Sequence, residues 1–168
     1  MWCLLGLFLA IIIAVFWIYW AQAIGAGWSP TPREIVDEML NMAKVNSSDT
    51  LFDLGSGDGR ILMMAAARFG IPVIGIEADP IRFLVCFIKV KAYRLSNVRI
   101  LWGNFFHVNL SEATVVITFL SDKANQRLKN KFQQELRAGT RVVSYHWKYT
   151  GWTPVRSNPV SGVYVYEI

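Results

Sequence analysis

Three rhythms of apolar residues follow one another along the chain. Residues 1–21 are apolar almost throughout, and the first charged side chain is Arg33. From there Ile35, Val36, Met39, Leu40 and Ala43 recur at three- and four-residue intervals, which is the helical period. Thr31 as N-cap, Pro32 at the first helical position and Glu34 closing a capping box predict where that helix begins. Beyond Thr50, short strand-like apolar runs alternate with helical ones. Strands are expected at residues 51–54, 73–77, 98–102, 113–119 and 140–146, and helices at 60–69, 80–95 and 122–136. Runs at 152–156 and 163–168, separated by Ser157-Asn158-Pro159-Val160-Ser161-Gly162, read as a closing strand pair. Alternation of this kind predicts an α/β fold, a mostly parallel sheet with helices on both faces, with its ligand outside the carboxyl ends of the strands.

The leading apolar run has its own meaning. At 1.5 Å per residue it covers about 30 Å as a helix, the thickness of a hydrocarbon core. Trp2, Trp17, Tyr19 and Trp20 stand near its ends, as interfacial aromatics do. Residues 1–24 are therefore expected to form one transmembrane helix, 25–30 a short linker and 31–168 the working domain. Ala21-Gln22-Ala23 resembles a signal-peptide cleavage site, but no basic residue precedes the run and it is long for such a peptide. All basic residues follow the span, so the expected topology is a single-pass membrane protein with its domain in the cytoplasm.

Candidate chemistry gathers where the first strand breaks. Asp53-Leu54-Gly55-Ser56-Gly57-Asp58-Gly59-Arg60 leads straight into a helix. Its glycines let the backbone take positive φ and let a ligand approach the main chain. The dinucleotide pattern G-x-G-x-x-G is not met, because the third glycine arrives one residue early and Arg60 fills the small-residue slot. Asp53 and Asp58 would repel a pyrophosphate and attract a cationic ligand. Glu77, ending the next strand about twenty residues later, stands where a carboxylate reaches ribose hydroxyls.

On these residues the chain resembles the class I S-adenosylmethionine-dependent methyltransferases, through Asp53 to Gly59 and Gly75-Ile76-Glu77-Ala78-Asp79-Pro80. More narrowly, Thr31-Pro32-Arg33-Glu34, the loop with Arg60, and Gly139-Thr140-Arg141-Val142-Val143-Ser144 look like the small archaeal-type and mitochondrial FAM173-like protein-lysine N-methyltransferases. The resemblance implies a Rossmann-like, seven-stranded sheet with one antiparallel strand near its end. It implies S-adenosyl-L-methionine as cofactor, held by Asp53, Gly55, Ser56, Gly57 and Glu77. Asn104 stands where the family usually has an acid on the adenine amine, and its side-chain carbonyl can accept that hydrogen bond. Phe105 is the candidate to pack on the adenine ring, Phe106 being expected in the core. Thr31 could touch the cofactor, although its capping role ranks higher. Thr118 and Phe119, after the fourth strand, are the candidates for the acceptor pocket, and no catalytic base is identifiable.

Composition narrows the partners. The 168 residues suffice for one domain. Cys3 and Cys86 offer no disulfide framework, and His107 and His146 no zinc site, so no metal is expected. The +5 charge clusters at residues 82–99 and 123–141, which suits solvated or membrane-facing helices better than nucleic acid, for which no motif is present. No insertion is large enough to enclose a small substrate from water. The expected acceptor is thus an accessible lysine on a membrane-associated protein. A methyltransferase acting on a lipid, quinone or other small amphiphile, and a non-enzymatic membrane-tethered interaction module, are the rivals.

Overall fold

The computed structural model describes residues 5–8, 12, 27 and 29–168. The expected membrane span and linker lie largely outside these residues. Among the described residues, no helix is long and apolar enough to cross a membrane.

Helix α1 spans Arg33–Met42, and strand and helix then alternate: β1 Leu51–Leu54, α2 Arg60–Phe69, β2 Val73–Glu77, α3 Pro80–Ala92, β3 Val98–Trp102, β4 Val115–Thr118, α4 Asp122–Glu135, β5 Arg141–Tyr145, β6 Arg156–Asn158 and β7 Val163–Glu167. The seven strands form one sheet in the order β3-β2-β1-β4-β5-β7-β6. Neighbours from β3 through to β5 are parallel, and β7 runs antiparallel to both β5 and β6. Strands β1, β2 and β4 are buried along their whole length, as expected of parallel strands covered on both faces. On one face Val36, Leu40, Leu62, Ala65 and Cys86 pack from the first three helices. On the other, Ala124, Leu128 and Phe132 of α4 meet Phe52, Leu54 and Tyr166. The chain builds outward from β1 to β3 and then crosses back to β4, so the switch in strand order lies between Leu54 and Thr118, partners in the β1–β4 register.

Three expected boundaries are corrected. Thr31 does not cap α1: Pro32 holds the N-cap position with ψ 145 and no side chain caps the helix. Thr31 is instead buried, and its carbonyl accepts a 2.8 Å hydrogen bond from Arg60 Nη1. Helix α3 stops at Ala92 rather than at 95, because Arg94 turns to φ 52 and the Leu95 amide bonds back to the Val90 carbonyl. The penultimate strand is Arg156–Asn158, not 152–156. Trp152 packs against Tyr149 and Tyr166, 5.1 and 5.8 Å away, while Asn158 Oδ1 accepts from the Val160 amide and opens the turn that Gly162, at φ 78, closes.

Candidate functional site

The glycine loop folds over the end of β2. The amides of Gly55 and Ser56 both donate to the Ile76 carbonyl, at 2.9 and 3.1 Å, and Gly59 N donates to Ser56 O. This path requires positive φ at Gly55, Gly57 and Gly59, of 84, 55 and 79 degrees. At Gly59 the requirement is also one of space: a Cβ there would lie 2.4 Å from Cys86 Sγ. The next turn then opens into α2, whose Met63 amide takes the Gly59 carbonyl.

Glu77 is fixed by the loop it faces. Its Oε2 accepts from Gly57 N at 2.7 Å and its Oε1 from Asp79 N at 2.8 Å, leaving a buried carboxylate with lone pairs to spare. Asp79 in turn caps α3 by accepting from Ile81 N and Arg82 N. The spacing argument thus brought together a loop and a carboxylate that are in direct contact.

The two aspartates behave differently from the expectation of two free negative charges. Asp58 is neutralised within the protein: Arg60 Nε and Nη2 donate to its two carboxylate oxygens at 3.0 and 3.1 Å, and Lys89 Nζ lies 3.2 Å from Oδ2. Its partial burial works to raise its pKa, but the hydrogen bonds and charges of Arg60 and Lys89 outweigh this and hold it below the usual carboxylate value. Asp53 has no such help. It is 2% exposed, and burial, reinforced by the charges of Glu77 and Asp58, pushes its pKa up to about 8. Among the described residues its Oδ2 and the buried Ser56 Oγ have no hydrogen-bond partner. Two unsatisfied polar atoms beside a glycine loop suit a cationic, hydrogen-bonding ligand, because each buried orphan costs about 1–3 kcal/mol until a partner arrives.

Around this loop a narrow groove is lined by Ser29, Thr31, Asp53, Ser56, Arg60 and Phe119. Thr31 therefore does reach the site, although not as a cap. Phe119 packs against Tyr145 with ring centroids 4.5 Å apart and the rings tilted by 51°, giving the groove an aromatic wall on the β4 side. Thr118 is corrected: it is fully buried, bonded to the Val143 carbonyl and 3.1 Å from the Tyr149 hydroxyl, so it belongs to the core and not to an acceptor pocket. Phe105 is corrected as well, for it is 3% exposed within the α4-side core, whereas Phe106 is only partly buried and lies under the Arg127 guanidinium. Asn104 Oδ1 is engaged by the Phe106 amide at 3.0 Å, which fixes the turn after β3 and leaves its second lone pair and NH₂ group for other partners. Sequence reasoning noted Arg60 but missed its role as a clamp, and it missed Lys89 entirely. Both donate to Asp58 Oδ2, Lys89 from thirty-one residues away, and no local signal marks that pairing.

The model of the ANTKMT methyltransferase domain matches residues 53–156, from Asp53 of the loop to the start of β6. The chain belongs to this family. Among its relatives, a protein-lysine N-methyltransferase of Saccharolobus islandicus is 42% identical over 127 residues, which are 74% of this chain and 79% of that protein. The adenine nucleotide translocase lysine N-methyltransferase of Mus musculus is 31% identical over 158 residues, 85% of this chain and 67% of its own length. A second Mus musculus relative, a lysine N-methyltransferase named for ATP synthase, is 29% identical over 74% of this chain, and there the match spans only about half, 50%, of the relative. A solved structure described as an RNA methyltransferase from Salinibacter ruber, in complex with S-adenosyl-L-homocysteine, superposes with a TM-score of 0.80 and 38% identity, covering 83% of this chain and 94% of that one.

Proposed function

We propose that this chain transfers methyl groups from S-adenosyl-L-methionine to a lysine of a membrane-associated protein. Its place among the S-adenosylmethionine-dependent protein-lysine N-methyltransferases is established by the family match and the 42% identical relative. The observation that carries the site assignment is the contact of Glu77 with the glycine loop beside the unpartnered Asp53 and Ser56 oxygens. When bound, the cofactor supplies an activated methyl group on a sulfonium. Glu77 would accept from ribose hydroxyls, the bared backbone of Gly55 and Gly57 would admit the cofactor's amino-acid portion, and Asp53 would receive its ammonium group.

The acceptor side needs less from the protein. Neutralising a lysine with a reference pKa near 10.4 at pH 7.4 costs about 4 kcal/mol, at 1.36 kcal/mol per unit. Desolvation of the amine lowers that cost, and the Phe119–Tyr145 wall supplies the apolar surface beside the groove. A dedicated base is therefore not required, and orientation is the larger contribution. Membrane association is favoured by the apolar run of residues 1–21 and the basic balance of the chain.

A second reading has one observation in its favour, the RNA methyltransferase name of the 38% identical neighbour. Incubating the full chain with membranes, total RNA and methyl-labelled cofactor separates the possibilities. Label is expected in protein, on lysine after hydrolysis, and lost in Glu77→Ala. Nuclease-sensitive label or label in the organic extract would refute the lysine assignment.

A further inference from the structure

Among the described residues, nothing covers one apolar face of helix α3. It buries only Cys86 and Val90, while Ile81, Leu84 and Ile88, at three- and four-residue intervals along one side, are 63%, 53% and 55% exposed. Tyr93 and Trp102 beside it are exposed as well. An apolar stripe of this kind on a folded domain marks an interaction surface.

Charge identifies what it meets. From Pro80 to Ser111 the chain carries five Lys and Arg residues and no Asp or Glu. Lys91, Arg94 and Arg99 are exposed and line one shallow hollow with Phe87, and the Lys91 ammonium sits 5.5 Å over the Phe87 ring. Apolar side chains flanked by basic heads, with Trp and Tyr at the margin, are the make-up of a helix that lies flat in a lipid interface.

Position agrees. Ser29 and Thr31 line the same groove as Asp58, Arg60 donates to the Thr31 carbonyl, and Lys89 of α3 donates to Asp58. The leading segment therefore reaches the domain on the flank that carries α3. With the expected span ending near residue 24, the five or so residues up to Ser29 reach at most roughly 20 Å.

We infer that α3 seats on an anionic bilayer surface, with Ile81, Leu84 and Ile88 among the acyl chains and Lys91, Arg94 and Arg99 among the lipid phosphates. Because Asp79, the N-cap of α3, also donates its amide to Glu77, this seating sets the cofactor groove at the membrane surface and selects acceptors by height above the bilayer. The inference goes beyond membrane tethering, which a leading helix alone would give with no fixed orientation.

The test uses the full chain in a Cys3→Ser background, reconstituted in vesicles of phosphatidylcholine and phosphatidylserine containing spin-labelled lipid. A fluorophore is placed at Ile88→Cys or, as control, at Val160→Cys in the β6–β7 turn on the opposite sheet edge, a position 98% exposed. Quenching at Ile88→Cys is expected to exceed that at Val160→Cys by about fivefold or more, as for a helix sunk into the headgroup boundary. Omitting phosphatidylserine or raising salt should shrink the difference. The surface variant Leu84→Glu, combined with the label at Ile88→Cys, should lose the quenching while keeping cofactor binding in lipid-free calorimetry. Equal quenching at the two positions overturns the proposal. So does concentration-dependent cross-linking through Ile88→Cys without lipid quenching, which would give the face to a second copy. No readout depends on methyl transfer, so failure of the acceptor assignment leaves this result interpretable.

Discussion

Asp53→Asn tests the electrostatics of the groove most directly. In the ligand-free protein the Asp53 carboxyl keeps its proton to about pH 8, first because it is buried and then because Glu77 and Asp58 face it, whereas the unfolded chain releases that proton near 3.8. Between these values the unfolded state binds fewer protons than the native one, so unfolding free energy falls as pH rises. The stability is fully present below about pH 4, declines by up to 1.36 kcal/mol per unit, and levels off above about pH 8. Four units correspond to about 5 kcal/mol, a large share of the 5–15 kcal/mol typical of a domain. The amide that Asp53→Asn introduces cannot ionise, so this component vanishes in the variant while every other titration persists. Urea unfolding of the ligand-free wild type and Asp53→Asn at pH 5 to 9 should give a stability difference that shifts steadily in favour of the variant and flattens near pH 8. A difference independent of pH would refute the account. The same logic applies to the ligand, since a cation beside Asp53 favours its ionised form. Calorimetry in buffers of different ionisation enthalpy should record proton release on cofactor binding at pH 7, and none in Asp53→Asn.

Other changes probe separate parts of the site. Glu77→Ala removes the acceptor of the Gly57 and Asp79 amides and the proposed ribose ligand, and should weaken cofactor binding by about 1–3 kcal/mol in calorimetry. Gly59→Ala should lower stability by about 1–3 kcal/mol, because its φ of 79 is unfavourable for a side chain and its Cβ would strike Cys86 Sγ. Adding Cys86→Ala should relieve the steric part alone, as urea midpoints will show. Arg141→Met removes the cationic partner of Asp49, a carboxylate 3% exposed that would keep the Thr114 hydroxyl and the Asn46 amide as donors, and should cost about 3–5 kcal/mol in thermal or urea unfolding.

Much of this was legible in the sequence wherever one local rule decided the outcome. The glycine loop and Glu77 were found by spacing, β1 by a short apolar run before the loop, and β2 and β3 by runs containing Val and Ile, with bounds the structure keeps. The rest depended on contacts that no local pattern announces. Asp58 looks like a free charge until Lys89 arrives from α3. Phe105 and Phe106 are chemically equivalent in the sequence, and only the turn fixed by Asn104 decides which one enters the core. Strand β6 consists of Arg156, Ser157 and Asn158, with no apolar alternation to detect, and its pairing with β7 fixes it. Thr118, expected after the fourth strand, is the last residue of β4, and its hydroxyl is spent on Val143 and Tyr149.

The Asp58 side chain joins three parts of the molecule: the loop that bears it, the leading segment through Arg60 and Thr31, and α3 through Lys89. Free-energy coupling between two sites is necessarily reciprocal. Under the seating proposed for α3, whatever preference an occupied loop exerted on the posture of the helix, lipid contact would return to nucleoside affinity in equal measure. A latch shared in this way would make the grip on the methyl donor and the alignment of the domain on lipid two readings of one equilibrium.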